Sequence, residues 1–142
     1  MPMTEAQLEE FLRQPYLAVL STVDADGRPR SAPVWFHWED GAAYVFTGRG
    51  SLKWRNLERN PAASMCIERR TVPYAAAILE GDVEEADQSR LHEFVQAMAT
   101  GYYGEERGRE FANEYLRPRP QTVLIRLKPH RITSWDYAIE GE

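Results

Sequence analysis

Two short turns constrain how this chain can fold. Asp24-Ala25-Asp26-Gly27 separates an apolar, partly β-branched run at residues 16–23 from a return strand at 28–38. Glu39-Asp40-Gly41 then leads directly into a third run around Tyr44, Val45 and Phe46. Connections this tight leave no room for a crossover helix, so neighbouring strands pair antiparallel. Pro29 and Pro33 remove ladder donors from the return strand, which places an edge or a bulge there. Further strands are predicted at 62–68, at 74–84 with Gly81 as a bulge, and at 123–128, where Val123, Ile125 and Leu127 alternate with Leu124, Arg126 and Lys128. Pro129 bends the last of these, and residues 131–135 continue it.

Helices fall between the strands. Thr4 and Gln7 form a capping box, and Leu8, Phe11 and Leu12 share a face of a short helix ending before Pro15. Asp87 or Ser89 caps a helix in which Leu91, Phe94, Val95, Met98 and Tyr102 recur at helical spacing, with Gly101 and Gly104 breaking it. A shorter helix over 105–116 presents Phe111, Ala112 and Tyr115, and Pro118 and Pro120 end it. The acidic tail from Asp136 reads as loose. Six or so strands with inserted helices predict the α+β class, an antiparallel sheet or small barrel, in one domain over residues 1–142.

Composition narrows the function. The chain has 142 residues, 43% of them hydrophobic, and a formal net charge of −5. That acidic balance argues against nucleic-acid binding. No apolar run has membrane-spanning length and no secretory pattern is seen, so the cytoplasm is the expected location. Cys66 is the lone cysteine and reads as a small core residue. His37, His92 and His130 lack metal-ligand spacing, so no metal centre is expected. Four tryptophans, seven tyrosines and five phenylalanines are enough to line a flat ligand or a dimer seam as well as a core.

The chemistry points to residues 43–61. A strand ends at Thr47, Gly48 and Gly50 punctuate a turn, and Ser51 caps a helix running over 52–60 to Pro61. Lys53 then sits in the first helical turn and Arg55 just behind it, where the helix dipole favours acids by ~0.3–1 kcal/mol. Lysine in that place makes sense when an anion fills the site. Free amides, the Thr47 and Ser51 hydroxyls and the Lys53 ammonium would converge on one phosphate. Arg49 and Arg59 add charge nearby. The competing reading is a solvated helix with scattered cations.

Taken together, the motifs resemble the split-barrel flavin-binding proteins, the superfamily named after pyridoxamine 5′-phosphate oxidase. The likeness is nearest to the branch of flavin/deazaflavin-dependent oxidoreductases. It rests on Asp26-Gly27-Arg28-Pro29, on Ala32-Pro33-Val34-Trp35-Phe36, and on Phe46-Thr47 followed by Ser51, Lys53, Arg55-Asn56-Leu57 and Asn60-Pro61. Gly81, Arg126-Leu127, Pro129 and Ser134-Trp135-Asp136 complete it. The resemblance implies a homodimer with two cofactor sites at its seam. Thr47, Ser51 and Lys53 would hold the cofactor phosphate, Arg55 would add charge, and Pro33, Val34 and Trp35 would run along the isoalloxazine edge. Trp135 would cover the ring from the partner subunit. Ordinary packing remains the alternative for both tryptophans.

Ser31, Leu52 and the acidic tail stand where pyridoxamine phosphate oxidases carry basic residues, which argues against vitamin B6 salvage. The implied cofactor is FMN or the deazaflavin coenzyme F-420, whose glutamate tail Arg49, Arg55, Arg69 and Arg70 could meet. The implied activity is hydride transfer between that cofactor and a small organic substrate. The alternatives are a flavin- or tetrapyrrole-binding carrier and a purely structural dimer. His37, Tyr74, Tyr102 and Tyr103 are candidate proton donors, and no catalytic residue is singled out.

Overall fold

A computed structural model describes residues 2–117 and 121–140, with backbone only at 139 and 140. Seven strands form one antiparallel sheet: β1 (Ala18–Val23), β2 (Pro29–Val34), β3 (His37–Glu39), β4 (Ala42–Gly48), β5 (Ala62–Arg69), β6 (Ala75–Glu85) and β7 (Thr122–Asp136). Their order is β2-β1-β5-β6-β7-β4-β3, and the sheet curls into a half-barrel. The helices are α1 (Glu5–Leu12), α2 (Leu52–Arg59), α3 (Leu91–Tyr103), α4 (Glu105–Leu116) and the short α5 (Tyr137–Glu140). The α+β reading and the antiparallel barrel therefore stand, with seven strands rather than six or so. Among the described residues no helix is long and apolar enough to cross a membrane.

The concave side of the sheet holds the main core. Leu20, Met65, Ile67, Ala77, Leu79, Val45, Ile125 and Leu127 line it, and α1 and α2 close it with Phe11, Leu12, Trp54 and Leu57. Burial alternates along β1, as a strand with one dry face requires. By contrast, β4 is buried on both faces. Its other side, with Tyr44 and Phe46, lies under α3, where Phe94, Met98 and Leu124 make a second cluster.

Several local expectations are met. The Thr4–Gln7 capping box forms in both directions, at 3.2 and 2.8 Å. Pro29 and Pro33 lie on β2, an edge strand. The β6–β7 register shifts between Glu80 and Gly81, and His130 becomes the extra residue. A Cβ at Gly81 would run into the Lys128 carbonyl oxygen, which explains a glycine opposite the bulge.

Other expectations need correction. The run at 28–38 is two strands, not one. It leaves β2 after Val34, crosses through Trp35 and Phe36, and joins the opposite edge of the sheet as β3. Gly101 does not break α3. Only Gly104, at φ +92°, ends it. Asp87 caps a 3₁₀ turn at Gln88–Arg90 that leads into α3, rather than α3 itself. The start of the tail is ordered as α5, with the Tyr137 N–H donating to the Tyr74 carbonyl at 3.0 Å. Cys66 is half-buried, facing away from the Met65 and Ile67 side of β5. Pro118 and Pro120 lie outside the described residues.

Candidate functional site

The junction from β4 into α2 builds the polar end of a cavity. Ser51 is the N-cap of α2, its Oγ accepting from the Trp54 N–H at 3.2 Å. The Thr47 hydroxyl, at the end of β4, donates to the same Ser51 oxygen at 3.0 Å. Lys53 Nζ in turn donates to Thr47 Oγ1 at 3.4 Å. The ladder of α2 begins with the Arg55 N–H on the Ser51 carbonyl at 3.1 Å, so the amides of Leu52 and Lys53 precede it. No acid occupies the first turn. Among the described residues, Lys53 makes that one hydrogen bond and no ion pair, although it is half-buried. A half-buried ammonium with two donors to spare beside a hydroxyl pair and a helix start is suited to an anion.

From this end a cavity of about 510 Å³ extends along the chain crossing between β2 and β3. Pro33, Val34 and Trp35 form one side, Thr47, Gly48 and Lys53 the polar end, and Leu17, Phe46, Tyr103, Phe111 and Tyr115 the rest. The volume is in the range of small-molecule sites. Trp35 is both packed and lining. Its ring stacks on Tyr102 at 4.8 Å and 18°, and meets Phe111 at 5.2 Å and Tyr103 at 5.4 Å.

Of the residues named from sequence, Pro33, Val34, Trp35, Thr47 and Lys53 line one cavity, and Ser51 is bonded directly to Thr47. Arg55 is exposed on α2 and does not line it. Trp135 is half-buried on β7, paired with Ala76, and does not line it either.

The other arginines are committed elsewhere. Arg49 pairs with Glu85 through two bonds of 3.1 and 3.2 Å, Arg69 with Asp136 at 3.0 Å and Arg70 with Glu68 at 3.0 Å. Arg59 donates to Asn56 Oδ1 at 3.3 Å. The basic groove expected from Arg49, Arg55, Arg69 and Arg70 is thus reduced to Arg55.

The candidate proton donors separate in the same way. His37 packs on Phe94 at 5.0 Å and lies 3.4 Å from Glu39. The Tyr102 hydroxyl donates to the Tyr16 carbonyl at 2.8 Å, and burial pushes its pKa up to about 12. Tyr74 is exposed and does not line the cavity. Tyr103 does.

Sequence reasoning passed over Phe111 and Tyr115. Their i, i+4 spacing on α4 was a visible signal, but it reads as a packing stripe. The buried stripe is instead Gly108 and Ala112.

Comparison with known proteins agrees with this architecture. A Streptomyces rimosus subsp. rimosus protein named 5a,11a-dehydrotetracycline/5a,11a-dehydrooxytetracycline reductase is 31% identical over 146 residues, covering 100% of this chain and 87% of that protein. A pyridoxine/pyridoxamine 5′-phosphate oxidase of Acidothermus cellulolyticus is 34% identical over 83 residues, 58% of this chain and 37% of that one. Among solved structures, a conserved hypothetical protein of Mycobacterium tuberculosis has a TM-score of 0.84 at 25% identity, over 99% of this chain and 89% of that one. An F420 reductase has a TM-score of 0.69 at 23% identity, over 87% and 94%, a likeness of fold. The profile described as pyridoxamine 5′-phosphate oxidase matches residues 4–136. With the strand order and the cavity beside α2, this places the chain in the pyridoxamine 5′-phosphate oxidase family, among its split-barrel flavin- and deazaflavin-binding members.

Proposed function

We propose that this chain is an oxidoreductase that uses FMN or coenzyme F-420, acting on a small organic substrate. The observation that carries this reading is the half-buried Lys53, without a carboxylate partner among the described residues, at the polar end of an otherwise apolar and aromatic cavity. A flavin-type cofactor has that same polarity, a phosphate at one end and a flat ring at the other. The reductase name of the Streptomyces relative supports an oxidoreductase.

When bound, the cofactor supplies a hydride to an unsaturated or oxidised substrate. The chain supplies the rest. Lys53 neutralises the phosphate, and Thr47 and Ser51 give it hydroxyl bonds. The backbone at Pro33, Val34 and Trp35 would border the ring edge, and the aromatic lining would give the ring an apolar surface. Arg55, exposed on α2 and outside the cavity lining, would meet a charged extension of the cofactor. Trp135 is assigned to a second cofactor site across a homodimer seam. Residues 1–142 act as one domain, and the lone cysteine fits the cytoplasm. Ser31 and Leu52, neutral at two basic positions of the B6 oxidases, argue against pyridoxamine phosphate as substrate.

The test is a titration of the purified protein with FMN and with F-420, followed by single-turnover reduction of electron acceptors. Uptake of one cofactor and oxidation of its reduced form by an organic acceptor is the expected result. Tight binding without turnover would make the chain a carrier, and no uptake of either would end the reading.

A further inference from the structure

One stretch of the cavity wall is held by neither sheet nor helix. Trp35 and Phe36 lie between β2, which ends at Val34, and β3, which begins at His37. They fall outside both strand registers, so no ladder fixes their peptide groups. Their side chains leave in opposite directions. Phe36 is buried in the main core, whereas Trp35 packs on the second cluster, under α3. The peptide between them is therefore a pivot. Behind it lies a separate cavity of about 110 Å³, bordered by Pro15, Phe36, His37, Trp38 and Tyr102, so packing from that side is incomplete.

Tyr102 of α3 holds this pivot. Its ring stacks on Trp35, with 4.8 Å between centroids and 18° between planes. Its hydroxyl donates to the Tyr16 carbonyl at 2.8 Å, just ahead of β1. Burial is the larger influence on that hydroxyl, and hydrogen bonding from the Phe36 N–H to the same oxygen opposes it. One phenol oxygen thus bridges the chain entering β1 and the chain leaving β2. Both arms of the bridge lead to the ligand cavity. Leu17 follows Tyr16, and Pro33, Val34 and Trp35 precede Phe36; all four line that cavity, and Tyr102 does not.

We propose that Tyr102 is a positioning residue. Its hydroxyl bridge and ring stack fix the backbone at Pro33–Trp35 in the orientation that meets the edge of the cofactor ring. The inference rests on the cofactor reading above. Peptide groups beside a redox-active ring favour one oxidation state over the other only when they are held in place. A peptide free to turn adjusts to both. Tyr102 therefore contributes to the midpoint potential of the cofactor without touching it.

The test is spectroelectrochemical titration of wild type, Tyr102→Phe and Gly81→Ala. Each is loaded with FMN, or with F-420 if the protein takes up that one alone. Tyr102→Phe keeps a ring on Trp35 and loses the bridge. Gly81→Ala strains a bulge outside the cavity lining and controls for general loosening. Wild type should hold the potential away from that of the free cofactor. Tyr102→Phe should bring it back by at least about 14 mV, a threefold change in the ratio of oxidised to reduced affinity for a two-electron couple. Gly81→Ala should keep the wild-type value. A smaller shift in Tyr102→Phe, a shift away from the free value, or an equal shift in Gly81→Ala would overturn the proposal. So would a wild-type potential equal to that of the free cofactor. Failure to take up either cofactor refutes the underlying reading, whereas uptake with an unmoved potential refutes this inference alone.

Discussion

Replacing Lys53 by alanine separates an anion site from an ordinary helical lysine. In the structure its ammonium makes one long hydrogen bond, 3.4 Å to Thr47, and no ion pair among the described residues. Removing it therefore costs the fold little, within about 0.5 kcal/mol. It even relieves a cation in the first turn of α2, where the dipole is unfavourable by a few tenths of a kcal/mol. Cofactor binding responds differently. A hydrogen bond to a charged group contributes about 1.5–3 kcal/mol, which is roughly ten- to a hundredfold in Kd. The assay is quenching of flavin fluorescence by increasing protein, for FMN and for riboflavin, in both proteins at equal ionic strength. Lys53→Ala should lose affinity for FMN by that factor and leave riboflavin, which has no phosphate, unchanged. Because the site is only half-buried, the FMN difference should shrink with added salt. An FMN affinity within twofold of wild type would refute the reasoning. An equal loss for riboflavin would do so too, since it would show that the lysine acts on ring or cavity shape.

Four further outcomes follow from the geometry. Gly81→Ala drives a Cβ into the Lys128 carbonyl at the β6–β7 bulge, and should cost about 1–3 kcal/mol, a Tm drop of roughly 3–10 °C by calorimetry. Tyr102→Phe removes the 2.8 Å bond to the Tyr16 carbonyl and should cost about 0.5–1.5 kcal/mol in urea unfolding, with the Trp35 stack retained. Arg126 and Arg49 hold the Glu84 and Glu85 carboxyls below the ordinary 4.5 by hydrogen bonding. Their contribution is therefore present above pH 4.5 and lost as the pH falls below it; being exposed, each pair adds less than about 1 kcal/mol, and Glu84→Gln should flatten that part of the urea midpoint–pH curve. Burial, with Glu68 nearby, raises the Cys66 thiol above its ordinary value, so iodoacetamide should label native protein at pH 7.5 more slowly than urea-unfolded protein.

The parts legible in the sequence share one property: their cause lies within a few residues. The Thr4 capping box, the Asp24–Gly27 turn and the Ser51 cap each depend on a side chain meeting a backbone group three or four positions away. For that reason Thr47, Ser51 and Lys53 could be placed together before the fold was known. What was not legible depends on where the chain goes afterwards. The 28–38 run looks like one strand because its residues suit extended backbone throughout. Nothing local says that β2 and β3 belong to opposite edges of a curled sheet, with Trp35 at the crossing. The same crossing decides the fate of the aromatics. Tyr102 and Tyr103 are adjacent, yet one is fixed under Trp35 and the other faces the cavity, because successive residues on a helix point about 100° apart. On α4, Gly108 and Ala112 take the buried stripe, and at Gly108 the lack of a side chain is what allows the close approach to α3 at Thr100. That forces Phe111 and Tyr115 one position round the helix, toward the cavity. The bulkiest side chains of α4 thus face a ligand space because the smallest ones set the packing, an ordering that hydrophobicity counted along the sequence reverses.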